Sequence, residues 1–179
     1  MDRVFERLYD CYHHDLYQFV FYMVKNKEQT EDLIQEIYIK VMNSYDTFQG
    51  KSSEKTWLFS IARHVTIDFF RAQKRKRNRI LDFFDWKERG EELKDSAPIP
   101  EDIAMMNEEI QKVYHCLDQL NVDQRSVIIL RFIQEHTLKE TAELLGWSVS
   151  KVKTTQHRAM KLLKERMEKM EEGGIQREA

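Results

Sequence analysis

Two small helical domains, joined by a flexible acidic linker and with a helix-turn-helix in the second, make an all-α fold that three features of the sequence predict. Apolar residues recur at three- and four-residue steps, only five Gly and two Pro punctuate 179 residues, and charged residues reach 34% against 41% apolar. That balance suits charged helices around modest cores better than a turn-rich β sandwich. The length admits two compact units, since domains usually run about 100 to 150 residues.

The first element is an amphipathic segment carrying Val4, Phe5, Leu8, Tyr12, Leu16, Phe19, Val20 and Met23. From Glu31 a second helical stripe runs through Leu33, Ile34, Ile37, Tyr38, Val41, Met42 and Tyr45. Thr30 is its expected N-cap, and Asp32, Gln35 and Glu36 point outward. Gly50, Lys51, Ser52 and Ser53 then break the pattern into a polar loop. A third helix is expected from near Glu54, with Trp57, Leu58, Ile61, Ala62, Val65 and Phe69 as its core stripe. It continues into Arg71, Lys74, Arg75, Lys76, Arg77 and Arg79, closing a first unit over residues 1–80.

Between Lys87 and Asp102 the periodicity stops, and Gly90, Pro98 and Pro100 accompany an acidic excess. So little apolar surface cannot offset the entropy of ordering the chain, and 81–108 therefore reads as a linker. Helical periodicity resumes from Ile103 through Ile110, Val113, Tyr114, Leu117 and Leu120, followed by Val127, Ile128, Leu130 and Ile133. The second unit covers 109–170, and 171–179 is a tail.

Within it, Leu138 to Leu163 has the spacing of a helix-turn-helix. Ala142 is the small residue where two helices touch, Gly146 supplies the positive φ of the turn, and Val152 seats the second helix. Ser148 or Ser150 can cap that second helix. Its outward face offers Lys151, Thr154, Thr155 and Arg158, with Lys153, His157 and Lys161 alongside, as donors for phosphates and base edges.

The net charge of -2 conceals a strong division. Residues 61–81 hold 7 basic and 1 acidic group, and 148–169 hold 7 and 2, whereas 82–118 hold 4 and 11. Two basic islands suit two polyanion contacts on one chain, because each cation meeting a phosphate releases condensed counterions.

Enzyme and metal readings find little support. Cys11 near His13 and His14, and His115 beside Cys116, lack paired zinc-ligand spacing, and no Gly-rich phosphate loop is present. No cofactor and no small-molecule substrate are expected. Two cysteines a hundred positions apart read as reduced core thiols. No apolar run nears the roughly 18 residues of a membrane span, and the start MDRVFERLYD lacks the flank of a signal peptide, so a cytoplasmic location is expected.

The run TEDLIQEIYIKVMNSYDTF (residues 30–48), the polar loop and TWLFSIARHVTIDFFR (residues 56–71) resemble the second conserved region of extracytoplasmic-function sigma factors. Leu117 to Leu163 looks like their fourth region, and within the family the sequence looks most like the SigX branch. Departures include His64 for a common Asn, Asn121 for the usual Pro, Ser150 and Lys151 for a Gly-Thr pair, and Met160 for a frequent Arg.

The resemblance implies a subunit that binds RNA polymerase core, at the β′ clamp helices and the β subunit, and directs initiation at promoter DNA. Asp32, Gln35 and Glu36 would meet the clamp helices. Gln49, Gly50, Lys51, Ser52, Ser53 and Lys55 would wall the pocket for a minus 10 base, with Arg63, His64, Asp68 and Arg71 contacting that element. Lys74, Arg75, Lys76 and Arg77 would bind duplex phosphates. Ser150, Lys151, Lys153, Thr154, Thr155, His157 and Arg158 would read the minus 35 element. Trp57 could stack on a base, but its place in the apolar stripe favours a core role. The resemblance further implies an anti-sigma factor, often membrane-anchored, and an envelope-related regulon in a Gram-positive bacterium. The acidic linker has two readings, an inert tether or an occupant of a basic polymerase channel. The alternative to a sigma subunit is a stand-alone helix-turn-helix regulator whose first unit senses a ligand or dimerises.

Overall fold

The computed structural model describes residues 2–83 and 108–175, and among these every regular element is helical. The expected linker lies, from 84 to 107, outside the described residues, as do 176–179.

The first unit consists of α1 (Asp2–Val24), α2 (Lys27–Ser44) and α3 (Glu54–Phe83). Leu8, Leu16, Phe19 and Met23 of α1 meet Ile37 and Val41 of α2 and Leu58, Phe59 and Ala62 of α3 in a core with essentially no exposure. Each fully buried Leu or Phe contributes roughly 1.5–3 kcal/mol, so this three-helix contact holds the unit. Phe59, absent from the expected stripe, is buried edge-on against Phe19 at 5.6 Å.

Two local expectations are corrected. The cap of α2 is Asn26, whose side chain accepts from the Gln29 amide; Thr30 is buried inside the helix, its hydroxyl donating to the Asn26 carbonyl. Cys116 is a buried thiol as expected, but Cys11 is exposed. A single turn separates it from the buried Leu8, yet it lies on the outer side of α1.

The second unit consists of α4 (Glu108–Cys116), α5 (Val122–Ile128), α6 (Leu138–Leu145) and α7 (Val149–Ile175). A π-helical turn, Ile129–Ile133, extends α5. Asn121, the departure from the family Pro, caps α5 reciprocally with Gln124, and Thr137 caps α6 with Glu140. Each box satisfies two helix-end donors and contributes about 1 kcal/mol. The helix-turn-helix forms as its spacing requires. Ala142 and Val152 are buried, and Gly146 takes φ 65° at the end of α6. Ser148, rather than Ser150, accepts from the Lys151 amide to cap α7. α3 and α7 run to Phe83 and Ile175, past the expected boundaries at 80 and 170.

The units pack directly on one another. α1 and α3 lie against α5, its π-helical extension and α6. The Arg125 side chain donates to the Met23 carbonyl at 2.6 Å, Lys25 pairs with Asp118 at 2.6 Å, and the Gln134 amide donates to Gln18 at 2.8 Å.

Candidate functional site

The outer face of α2 carries Asp32, Gln35 and Glu36, all exposed as the helical period requires. Glu36 forms an ion pair with Lys40 at 2.8 Å, half in solvent. Between them lies Ile39, 62% exposed, the most exposed large apolar side chain among the described residues. It escapes a reading of the sequence for helical stripes because it breaks the buried one. That breach is the available signal: Ile39 is a large apolar side chain on a face otherwise carrying Asp32, Gln35, Glu36 and Lys40.

The polar loop turns at Gly50, φ 66°, and leaves Gln49, Gly50 and Lys51 exposed with Ser52 half-buried. Two of the expected pocket residues also make local contacts within the fold. Ser53 caps α3, accepting from the Thr56 amide at 3.1 Å, and Lys55 lies within α3, paired with Asp15 at 2.8 Å. Trp57 is half-buried, with Phe48 stacked on it at 4.8 Å and Tyr45 edge-on, so it belongs to the margin of the core as expected. The loop base is held by Arg7, which donates to Glu54 at 2.7 Å and to Tyr45 at 2.9 Å. The Arg7 hydrogen bonds hold the Glu54 carboxyl below its ordinary range, against the opposing effect of burial.

Along α3, His64, Asp68, Arg71, Lys74, Arg75, Lys76 and Arg77 are exposed. His64 bonds the Ser60 carbonyl and Arg71 pairs with Asp68. Arg63 is placed differently. Its side chain is only 11% exposed, 3.5 Å from Asp123 of the second unit and 5.7 Å from the Trp147 ring. Burial draws its guanidinium below the ordinary value, while the Asp123 charge opposes this.

On α7, Ser150, Lys151, Lys153, Thr154, His157 and Arg158 are exposed and Thr155 is half-buried, so the expected reading face is presented. Lys151 lies 3.8 Å over the Trp147 ring, a cation–π contact that links the turn to its helix. The basic side of α3 and the start of α7 together wall a cleft of about 920 Å³, lined among others by Arg63, Arg71, Lys74, Arg77, Trp147 and Lys151. Excess positive charge gathered in a concave surface attracts phosphate and suits nucleic acid.

His13 stacks on Tyr9 at 4.1 Å, and among the described residues no three His, Cys, Asp or Glu side chains gather as a metal would need. No described helix is long and apolar enough to cross a membrane.

Known proteins resemble this chain along most of its length. Residues 8–76 match the family model for Sigma-70 region 2, and residues 110–163 match that for Sigma-70, region 4. The chain is 56% identical over 172 residues to the ECF RNA polymerase sigma factor SigX of Bacillus subtilis (strain 168), covering 96% of this chain and 88% of the relative. It is 34% identical to the RNA polymerase sigma factor YlaC of the same organism, over 93% of this chain and 94% of the relative. Among solved structures it resembles the sigma factor RpoE of Bartonella quintana, crystallised with the anti-sigma factor NepR. That match has a TM-score of 0.69 and 25% identity, over 93% of this chain and 98% of the other. The fold also matches that of CnrH, solved with the cytosolic domain of CnrY, with a TM-score of 0.67 and 21% identity over 94% and 90% of the two chains.

Proposed function

The chain belongs to the extracytoplasmic-function RNA polymerase sigma factors, and we propose that it docks on core polymerase through the outer face of α2 while α3 and α7 read the two promoter elements. The match of residues 8–76 to Sigma-70 region 2 takes the place of a sensing or dimerisation unit there. The observation that carries the docking assignment is the shared exposure of Asp32, Gln35, Glu36 and Ile39 on one face of α2. Two carboxylates around an apolar anchor suit a basic partner helix: the charges set orientation and the buried Ile adds affinity.

Strand opening needs an unstacked base held outside the duplex, at a cost of a few kcal/mol. Gln49, Gly50, Lys51, Ser52, Ser53 and Lys55 supply the polar wall for that base, and Arg63, His64, Asp68 and Arg71 of α3 contact the same element. Lys74, Arg75, Lys76 and Arg77 hold duplex phosphates without base specificity. On α7, Ser150, Lys151, Lys153, Thr154, Thr155, His157 and Arg158 enter the major groove at minus 35. The chain contributes binding energy and no reacting group, so it acts as a non-enzyme in the cytoplasm, where polymerase and promoter are. The similarity to SigX supports an envelope-related regulon.

An anti-sigma factor is its proposed regulator, supported by the fold shared with a sigma factor solved with such a partner. An inhibitor that covers both units gains from their linkage, because the second unit stays at high effective concentration once the first is bound. Competition tests this: a purified cognate inhibitor should displace core polymerase. A ternary complex that still initiates normally would contradict it.

A further inference from the structure

We infer that the second unit carries a binding site for a soft monovalent metal ion of the copper(I) class, formed by the Cys116 thiolate, the Met170 thioether and the His115 imidazole where the end of α4 meets the far part of α7. Cys116 Sγ and Met170 Sδ lie 3.7 Å apart although fifty-four positions separate them in the chain. A cavity of about 190 Å³ opens beside them, lined by His115, Cys116, Gln119, Arg166, Lys169 and Met170. Two bonds of about 2.3 Å, the usual metal–thiolate length, span that separation at an angle of roughly 107°, so one ion can meet both sulfurs where they stand. His115 is half-buried in the same wall and offers a ring nitrogen as third ligand.

Sulfur sets the class of ion. Thiolate and thioether ligands select Cu(I), whereas zinc sites are built from Cys, His and carboxylate and close with four ligands. Charge points the same way. Cys116 is 2% exposed, where a lone thiolate would be costly to desolvate, but a thiolate bound to a monovalent cation is neutral. Arg166 and Lys169 on the same wall repel any further positive charge and so oppose a divalent ion. On binding, the Cys116 thiol proton leaves to solvent, a sulfur–metal bond takes its place, and the ion keeps its oxidation state. Met170 lies beyond the residues 110–163 that match Sigma-70, region 4, so the site belongs to the extension of α7 in this chain rather than to the matched region. It also follows Arg158 by twelve residues, about 18 Å along the helix, so a bound ion ties α4 to α7 and leaves the proposed DNA-reading face free.

The test is an anaerobic titration of the full chain with Cu(I) against bicinchoninate, a chromophoric Cu(I) chelator. Every protein carries Cys11→Ser, so that the exposed thiol does not compete. One Cu(I) per chain should be withdrawn from the chelator. Cys116→Ser should abolish this uptake, and Met170→Leu and His115→Phe should each weaken it by about tenfold or more. Leucine is close to methionine in volume and position 170 is 42% exposed, so the fold of that variant should hold. A second readout is specific to the thioether. In a chain labelled with 13C at its eight methionine methyls, the resonance missing from the Met170→Leu spectrum should move most on adding Cu(I) and stay in place on adding Zn(II). No uptake, or an affinity that Met170→Leu or His115→Phe leaves unchanged, would overturn the three-ligand site and leave binding by a thiol alone or none. Equal affinity for Zn(II) at the same residues would overturn the assignment to a soft ion.

Discussion

Arg63 and Asp123, sixty positions apart, meet across the two units at 3.5 Å, so a residue proposed to contact the promoter pairs with the second unit. On the proposed reading Arg63 contacts the promoter and Asp123 does not, so their variants should differ. Arg63→Ala should therefore lower promoter opening by about tenfold with core present, as expected for removal of one charged group from the DNA interface. Asp123→Ala should change it by less than about twofold. Equal damage from both, in permanganate footprints of the open complex, would contradict this division.

Core binding should depend on charge and apolar contact together. Asp32→Lys with Glu36→Lys, and separately Ile39→Ser, should each weaken the core complex by ten- to hundredfold, the range of an interface hot spot at about 2 kcal/mol or more. Duplex affinity of the second unit and overall helicity should not change. Undiminished co-purification of the Ile39 variant with core would remove it from the interface.

The two nucleic-acid contacts should fail differently. Lys153→Ala or Arg158→Ala should weaken the closed complex and flatten its salt dependence by about one unit of slope for each phosphate left without its cation. Changes at Gln49 or Lys51 should spare the closed complex and impair strand opening. A melting defect without a binding defect in the Arg158 variant would reverse the assignment.

Stability should fall in mild acid. Burial, and next the Lys55 charge, hold the His136 imidazole below its ordinary pKa, with Glu140, the Gln134 backbone and Asp15 opposing. Below about pH 6.5 the unfolded chain thus binds a proton that the folded chain refuses, and stability drops from there toward the folded-state pKa. Urea midpoints measured from pH 7.5 to 5.5 should show this slope in the wild type, and His136→Phe should remove much of it. An unchanged slope would place the pH dependence elsewhere.

Much of the site is legible in the sequence because it is local. Ala142, Gly146 and Val152 are fixed by spacing within one motif, and the exposure of Asp32, Gln35 and Glu36 follows from the period of one helix. The cap of α2 is easily misplaced because Thr30 and Asn26 are both capping types, and the apolar stripe that marks the helix begins only after its first turn. The cap made by Ser53 and the pairing of Lys55 with a residue forty positions away are contacts that composition cannot show. Nothing in the sequence signals that Arg63 meets Asp123 or that Arg125 reaches Met23, since those contacts depend on how two units pack. Asn121 is the instructive departure: in place of the family Pro it brings a side chain that caps α5.

If this chain gives core polymerase its promoter specificity through α2, α3 and α7, run-off transcription from a cognate promoter is the decisive assay. It is carried out with and without core, with the Asp32→Lys, Glu36→Lys variant in parallel. A specific transcript should appear only when wild-type chain and core are both present, and should be lost with the variant. Site-specific duplex binding by the chain alone, with no effect on what core transcribes, would contradict the sigma role.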